Sequence, residues 1–417
     1  MKAPFPGLLC LLAALVAAGC DSGGNLLERR DLAWVFDTGD GPSQGDAAEP
    51  ADLGADRGIE EDPGGSWPDP GWDPGVPDPG RDPGTPDPGR DPGPGDPGAD
   101  PSSDPGPAAP ETRLVTDREV RPALKEMIAQ ARESIRLVNQ SFPPGWAPDE
   151  VSVALVQAAR RGVDVRVLLE DDDRGQNQTR VEVLSTNGVQ ARLDASTKTL
   201  HVKLLTVDGT QALVGSTNLT ISALEYNHEA NLLLQAPSAA AELQRYADAL
   251  WQDASGMVRV NATALPEGHL IGDGQYREQV LPLLQQATGR AWLAMYHFSS
   301  DWSGDVGDLA DALMAARARG ADVRVVLEVG SFADVESANR TSGEMLAAAG
   351  VAVRYDPTST ITHAKLLLTE NALAVHSGNW VYSSLRVNHE AGAVTFQAPP
   401  MAEAEAWFTA LWNASSP

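Results

Sequence analysis

Two stretches of the sequence bring a histidine and a lysine into the same short pattern. His201 precedes Lys203 by two residues, and His363 precedes Lys365 in the same way. Each stretch has an apolar run, a turn pair and a second apolar run, which predicts a β-hairpin. Side chains two positions apart on a strand share a face. Because histidine exchanges protons near neutral pH and lysine attracts anions, each hairpin is predicted to present an acid–base group beside a positive charge.

Further polar residues recur at matching distances after each histidine. The second apolar run ends in Ser-x-Asn, and the tripeptide Asn-His-Glu follows shortly afterwards. An acidic residue, Asp208 or Glu370, stands at each hairpin turn, where it is predicted to support the fold and to point away from the histidine and lysine. The other recurring residues are Ser216, Asn218 and Glu229 in the first copy and Ser377, Asn379 and Glu390 in the second.

Together these residues form a signature. The pattern H-x-K-x4-D followed by G-S-x-N resembles that of the phospholipase D superfamily, and its duplication resembles the two-repeat, single-chain members of that superfamily. The first copy matches in full, whereas Glu370 stands where the family usually has aspartate. The resemblance implies an α/β fold in which two tandem α/β/α sandwich repeats form a pseudo-dimer. The motif segments are residues 195–222 and 357–384.

The resemblance also implies a mechanism for cleaving a phosphodiester. One neutral imidazole attacks phosphorus to form a covalent phosphohistidine, while a second, protonated imidazole donates to the leaving oxygen. The family favours the N-terminal histidine as nucleophile, so that His201 attacks and His363 is the acid. Glu229 and Glu390 are the candidates to orient the imidazoles, and neither a metal nor a cofactor is expected. The groups expected to surround the anionic phosphate are Lys203, Lys365, Asn218 and Asn379.

Helical and strand patterns alternate from residue 112 onward, as in an α/β domain. The segment AARRGVDVRVLLE at 158–170 recurs as ARARGADVRVVLE at 316–328, which indicates duplication of one α/β unit. The predicted repeats are residues 112–256 and 257–417, and a monomer with an internal pseudo-two-fold axis is expected. In the first repeat, helices are predicted at 118–134, 151–161 and 180–187, and strands at 135–142, 163–169 and 189–193.

The first 111 residues differ in composition from the rest. Residues 1–20 have the lysine, apolar stretch and small residues of an export signal, and the terminal Val-Ala-Ala-Gly-Cys resembles a bacterial lipobox, which implies a lipid on Cys20. An ordinary signal peptide is the alternative. Residues 21–111 are acidic and rich in Asp-Pro-Gly units, so a disordered tether is predicted. These features predict an exported protein held by a lipid anchor in a bacterial cell envelope.

Charge bears on the choice of substrate. Residues 1–111 carry a net charge of −16 and residues 112–417 a net charge of −11. An acidic body disfavours nucleic acid as a partner without excluding it. We therefore expect a phospholipid membrane as substrate, with hydrolysis and transfer to an alcohol both open. An exported, metal-independent endonuclease and an inactive lipoprotein that binds phosphate are the alternatives.

Four other histidines and one acidic segment are weaker candidates. His228 and His389 lie beside the predicted orienting glutamates, and His376 replaces the glycine of the first G-S-x-N motif. His297 stands near the end of a predicted strand, where it either lines the substrate pocket or packs in the core. Residues 170–173 could bind a cation, but a solvated acidic loop is the simpler interpretation.

Overall fold

The computed structural model describes residues 111–171, 175–357 and 359–417. The predicted export signal, Cys20 and the predicted tether up to residue 110 lie outside the described residues. The tether is predicted to end at residue 111, but Glu111 is the first residue of a β-strand because its backbone pairs with Gln235. Within those described ranges, no helix is both long and apolar enough to cross a membrane.

The first repeat alternates strands and helices as the sequence predicts. The predicted helix at 118–134 is shorter than expected, because the backbone N–H groups of residues 132–134 donate to the Asp208 carboxylate instead of continuing the helix. The elements are β1 (Glu111–Thr116), α1 (Val120–Gln130), β2 (Ser134–Asn139), α2 (Trp146–Arg160), β3 (Asp164–Leu169), α3 (Gln176–Thr186), β4 (Gln190–Leu193), β5 (Lys203–Val207), β6 (Gln211–Gly215), α4 (Ile221–Glu225), β7 (Ala230–Gln235) and α5 (Pro237–Gln252).

The second repeat has the same kinds of element in the same order. They are β8 (Gly268–Ile271), α6 (Tyr276–Gln286), β9 (Arg290–Met295), α7 (Gly304–Ala318), β10 (Asp322–Leu327), α8 (Ala333–Ala348), β11 (Ala352–Tyr355), β12 (Lys365–Thr369), β13 (Leu373–His376), α9 (Tyr382–Arg386), β14 (Gly392–Thr395) and α10 (Ala398–Ala414).

Each repeat forms one seven-stranded mixed sheet. The strand order is β1-β7-β6-β5-β2-β3-β4 in the first sheet and β8-β14-β13-β12-β9-β10-β11 in the second. Strands β2, β3 and β4 run parallel, and β5, β6, β7 and β1 continue the sheet with antiparallel pairs. The parallel strands are connected through helices, because a parallel crossover needs a long connection. The duplicated α/β fold predicted from the sequence is confirmed.

The two sheets share one apolar core. Alternate side chains of β5 and β12, such as Leu204 and Leu366, enter a single buried cluster that also receives Leu243 from α5 and Phe408 from α10. On the opposite faces, α1 and α2 cover the first sheet, and α6 and α7 cover the second. Each repeat is therefore a helix–sheet–helix sandwich, and the strand ends that carry the predicted motifs are held by packing between the repeats.

Candidate active site

The two motif histidines lie in the loops that enter β5 and β12. The sequence predicted them on the strands, but the strands begin at Lys203 and Lys365. The backbone N–H of His201 donates to the carbonyl oxygen of His389 at 3.0 Å, and that of His363 donates to the carbonyl oxygen of His228 at 3.0 Å. Each histidine thus pairs its backbone with the other repeat, which takes it out of its own sheet.

The ring of each histidine is held by a glutamate of the opposite repeat. Nδ1 of His201 lies 2.9 Å from the Glu390 carboxylate, and Nδ1 of His363 lies 3.0 Å from Oε1 of Glu229. All four side chains are buried. A carboxylate at Nδ1 selects the tautomer and ring orientation that leave Nε2 to react. The sequence pointed to these glutamates, and the structure adds that the pairs are crossed between repeats.

The motif lysines are buried beside the histidines that precede them. Lys203 Nζ donates to the carbonyl oxygen of His201 and to Oε1 of Gln140, both at 3.0 Å. Lys365 Nζ donates to the carbonyl oxygen of His363 at 2.8 Å and lies 3.0 Å from Nε2 of the same histidine. An ammonium can only donate, so His363 is neutral in this arrangement. Each lysine places a fixed positive charge at the reacting face of the site.

The motif asparagines bring unsatisfied amide atoms to the ends of β6 and β13. Asn218 and Asn379 are 5 % and 0 % exposed. Neither Oδ1 of Asn218 nor any polar side-chain atom of Asn379 has a hydrogen-bond partner among the described residues. Buried amides without partners are uncommon, because each lost hydrogen bond costs free energy. These amides are therefore suited to receive a polar ligand.

The motif serines tie down the orienting glutamates. Ser216 Oγ donates to Glu229, and Ser377 Oγ donates to Glu390. Each serine oxygen also accepts the backbone N–H that follows its glutamate, at 3.0 Å in both repeats. Burial raises the pKa of Glu390 to about 7, against the opposing effects of nearby His376, Lys203 and the Ser377 hydroxyl.

The acidic residues of the hairpin turns hold the sheet and do not face the histidines. Asp208 accepts the backbone N–H groups of residues 132–134 at 2.8–2.9 Å. Glu370 accepts those of residues 288–290 at 2.8–3.2 Å. Burial alone would raise the pKa of Glu370, but these hydrogen bonds lower it to about 2. Glutamate in place of the usual aspartate therefore makes the equivalent contacts.

Comparison with known proteins agrees with this geometry. The family described as "Cardiolipin synthase, PLD-like domain" matches residues 124–251 and 280–412, which covers both repeats. The chain belongs to the phospholipase D superfamily.

Its relatives in this superfamily are matched over part of their length. A mitochondrial cardiolipin hydrolase of Xenopus tropicalis is 34 % identical over 127 residues, which cover 30 % of this chain and 59 % of the hydrolase. Cardiolipin synthase A of Salmonella arizonae is 27 % identical over 322 residues, which cover 67 % of this chain and 64 % of the synthase. The phosphatidylserine synthase of Haemophilus influenzae has the same fold, with a TM-score of 0.57, 12 % identity and coverage of 73 % and 87 % of the two chains.

Two aspartates that support this phospholipase D-type site were missed in the sequence. Asp117 and Asp273 accept the backbone N–H groups of Glu229 and Glu390, each at 2.9 Å. Asp273 also lies 2.6 Å from Nδ1 of His389, whose Nε2 lies 2.7 Å from a carbonyl oxygen. Burial would lower the pKa of His389, but the hydrogen bond to Asp273 and nearby carboxylates outweigh it and raise the pKa. A single aspartate ahead of a helix gave no sequence signal for this role.

The two repeats use different side chains to hold the loops at residues 216–218 and 377–379. Asn231 donates to Thr217 Oγ1 at 2.7 Å, and a side chain on its strand partner Gly215 would clash with it. In the second repeat the large side chain is on the other strand of the pair, because His376 of β13 lies opposite Gly392 of β14. Nδ1 of His376 accepts the Gly378 N–H at 2.9 Å, and burial lowers its pKa to about 4, so the ring is neutral. His376 thus supports the loop that carries Asn379.

The remaining weak candidates are His297 and the acidic segment at residues 170–173. His297 is buried, and its carbonyl oxygen accepts the Trp380 N–H at 3.0 Å. The interpretation of residues 170–173 as a solvated loop is wrong at its first position. Glu170 is only 8 % exposed, because its carboxyl accepts a backbone N–H from the loop that leads to His201. Asp171 is exposed, and the next two residues lie outside the described ranges.

Proposed function

We propose that this protein is a phosphodiesterase of the phospholipase D type that acts on phospholipids through a covalent phosphohistidine. The crossed histidine–glutamate pairs carry the proposal. Each carboxylate holds Nδ1, so Nε2 of each imidazole is the nitrogen that can attack phosphorus or move a proton. Two such imidazoles, with two lysines and two unsatisfied amides, supply a nucleophile, an acid and a binding site for an anion.

In the proposed first step, Nε2 of His201 attacks phosphorus. The Nε2–P bond forms as the bond to the leaving oxygen breaks, and His363 donates its Nε2 proton to that oxygen. Water or an alcohol then attacks the phosphohistidine, His363 takes the proton, and the phosphoryl product leaves His201. Lys365 contacts Nε2 of His363 before substrate binds. A phosphate oxygen is a better partner for this ammonium, so binding frees His363 to take up its proton.

The surroundings of His201 support its assignment as the nucleophile. Burial raises the pKa of its partner Glu390 to about 7, so this carboxyl is partly protonated near neutral pH. In the neutral form of Glu390 the His201 imidazole also stays neutral and can attack, and ionisation of Glu390 stabilises the positive charge that the ring gains as the Nε2–P bond forms. His363 is the remaining imidazole and takes the role of the acid.

Two observations favour a phospholipid as substrate. Two sequence relatives, a cardiolipin hydrolase and a cardiolipin synthase, are named for a phospholipid. The net charge of −11 on residues 112–417 repels nucleic acid at long range. We further propose that export and a lipid on Cys20 bring the enzyme to a membrane, and that it acts as a monomer, since one chain supplies both half-sites.

The test uses the full chain with mixed phospholipid vesicles, excess chelator and a trace of ethanol. Phosphatidic acid, released headgroup and phosphatidylethanol are measured for wild type, His201→Ala, His363→Ala and the control His269→Ala, which changes a histidine of β8 outside the site. We expect lipid products from wild type and from the control. In His201→Ala and His363→Ala the rate of product formation should fall at least about 10³-fold. Phosphatidylethanol reports transfer, and mass spectrometry of protein denatured at neutral to mildly alkaline pH locates the phosphatidyl group on His201, because the N–P bond of phosphohistidine is hydrolysed in acid.

Two results would contradict the proposal. Activity that survives in His201→Ala would exclude the mechanism in which His201 attacks phosphorus. Cleavage of single-stranded DNA by wild type, with no lipid product, would assign the same site to nucleic acid instead.

A further inference from the structure

Two buried glutamates outside the motifs lie behind the catalytic histidines. Glu170 follows β3 and Glu328 follows β10, at the same place in the internal repeat. They are 8 % and 1 % exposed. Glutamate is rarely buried unless it has a partner, because burial disfavours the charged form. Both positions therefore call for a specific contact.

Each glutamate holds the residue immediately before a catalytic histidine. Oε2 of Glu170 accepts the backbone N–H of Leu200 at 2.6 Å, and Oε2 of Glu328 accepts that of Thr362 at 2.6 Å. The planar peptide that follows leads directly to His201 or His363. At this point the histidine loops lie outside the strands, which begin at Lys203 and Lys365. This hydrogen bond therefore restrains a segment that is not held by strand pairing within its own sheet.

The glutamates are themselves anchored to the ends of the strands. Asn177 Nδ2 donates to the carbonyl oxygen of Glu170 at 2.9 Å and to that of Gln140 at 2.7 Å. Asn339 Nδ2 donates to the carbonyl oxygen of Glu328 at 2.8 Å and to that of Tyr296 at 2.7 Å. The same clamp joins adjacent parallel strands in both repeats. The carboxyl groups therefore connect the ends of the strands to the loops that carry the histidines.

We infer that Glu170 and Glu328 are positioning residues for His201 and His363, acting through the backbone of the preceding residue. Each histidine is then held at three points: Nδ1 by the opposite glutamate, its own N–H by the opposite repeat, and the preceding N–H by Glu170 or Glu328. This role rests on the proposed function, since it concerns the orientation of the two imidazoles that carry the reaction.

The charge state of these carboxyls gives the inference a measurable signature. Burial raises the pKa of both Glu170 and Glu328 to about 8. The groups that face Glu170 are Asp194, Asp171 and His389. Those that face Glu328 are Asp356, His363 and Glu336. At neutral pH the carboxyl is uncharged and accepts through its carbonyl oxygen, and above pH 8 it adds a buried negative charge beside a site for an anionic substrate.

The test compares wild type with Glu170→Gln, Glu170→Ala and Glu328→Ala in the full chain, by NMR of selectively labelled protein. The amide proton of Leu200 is followed from pH 6 to 9.5, because its chemical shift reports ionisation of its acceptor. We expect a transition near pH 8 in wild type and none in Glu170→Gln. In Glu170→Ala the Leu200 amide should exchange about 10-fold faster, as expected for loss of one hydrogen bond, while the Thr362 amide is unchanged. In Glu328→Ala the Thr362 amide should exchange faster and the Leu200 amide should be unchanged.

The matched control is Glu403→Ala, because Glu403 also accepts a backbone N–H, from Leu114 at 2.9 Å, but is exposed and lies in α10. It should alter neither loop amide. Ring nitrogen titrations of His201 and His363 should shift only in the variant of the matching half-site. In activity assays Glu170→Ala should lower kcat about 10-fold with KM unchanged, and the decline above pH 8 should be smaller in Glu170→Gln than in wild type.

The outcomes are separable from those of the proposed function. A Leu200 amide that neither titrates near pH 8 in wild type nor exchanges faster in Glu170→Ala would overturn the inference, whatever the activity. Shifts in the amides and imidazoles of a protein that cleaves no lipid would support the positioning role and reject only the proposed function. If Glu170→Ala does not fold, the comparison of wild type with Glu170→Gln still decides.

Discussion

At the scale of single residues, the site depends on which atoms of each imidazole are already engaged. Glu390 and Glu229 occupy Nδ1, and buried serines hold both carboxylates in place. The glutamates are also fixed through their backbone N–H groups by Asp273 and Asp117. Under the proposed mechanism, a ring held this firmly loses little entropy when it reacts, because its orientation is set before substrate arrives.

The first prediction concerns the charge at Nδ1. In Glu390→Gln an amide oxygen still accepts the Nδ1 proton, but it cannot stabilise positive charge on His201. We expect kcat to fall about 10²- to 10⁴-fold, as when a neutral amide replaces the carboxylate that orients a catalytic histidine. Steady-state assays on vesicles measure this, with Glu403→Gln as the control. A loss below threefold would show that Glu390 does not act through its charge.

At the scale of elements, the hairpins depend on their turns. Asp208 has φ 52° and accepts three backbone N–H groups that precede or begin β2. Aspartate tolerates this left-handed conformation better than most residues. Burial would raise the pKa of Asp208, but the three hydrogen bonds outweigh it and lower the pKa. The turn therefore fixes the start of β2 against the end of β5.

The second prediction removes this anchor. Asp208→Ala leaves three backbone N–H groups without their acceptor and places alanine at positive φ. We expect a loss of about 2–4 kcal/mol in the free energy of unfolding, given the usual contribution of hydrogen bonds to charged groups. Urea unfolding followed by circular dichroism measures it. Asp253→Ala, which removes an acceptor for the Ser255 N–H in an exposed loop, is the control and should change stability little.

At the scale of the whole molecule, the two repeats are interdependent. Their sheets share one apolar core, and each half-site takes a carboxylate and a backbone carbonyl from the other repeat. Several buried acids also collect where the repeats meet. Glu170 and Glu328 have pKa values raised to about 8 by burial, and Glu390 to about 7. The ionisation of this interface therefore couples folding to pH.

The third prediction follows from that coupling. A carboxyl with a pKa raised in the folded protein binds its proton more tightly there than in the unfolded chain, so stability falls as pH rises from about 4.5 to 8. The raised pKa values of His228 and His389 act in the same direction, since their stabilisation is present below pH 6.5 and is lost as pH rises through the folded pKa.

Urea midpoints at pH 5.5 and 8.5 provide the measurement. We expect a lower midpoint at pH 8.5 in wild type and a smaller difference in the double variant Glu170→Gln/Glu328→Gln, which cannot ionise at these positions. Equal midpoints at the two pH values in wild type would contradict the prediction.

Much of this protein was determined by its sequence alone. The alternation of helix and strand, the duplication and the two hairpins depend on local periodicity and turn residues, which are readable from one chain. The candidate site residues, down to Asn218, Asn379 and the two glutamates, recur at fixed spacing and were predicted from that recurrence. Element boundaries were less accurate, as at α1, because a distant carboxylate ends the helix.

Only the tertiary structure decided how these parts meet. Each repeat carries one motif histidine and one motif glutamate, so pairing within a repeat and pairing across repeats are equally compatible with the sequence. The packing of the two sheets selects the crossed pairs, His201 with Glu390 and His363 with Glu229. The same packing buries Glu170, which looks like loop sequence because its acceptor role depends on an N–H thirty residues away. Contacts between distant segments have no local pattern, and they are formed only when the shared core brings the segments together.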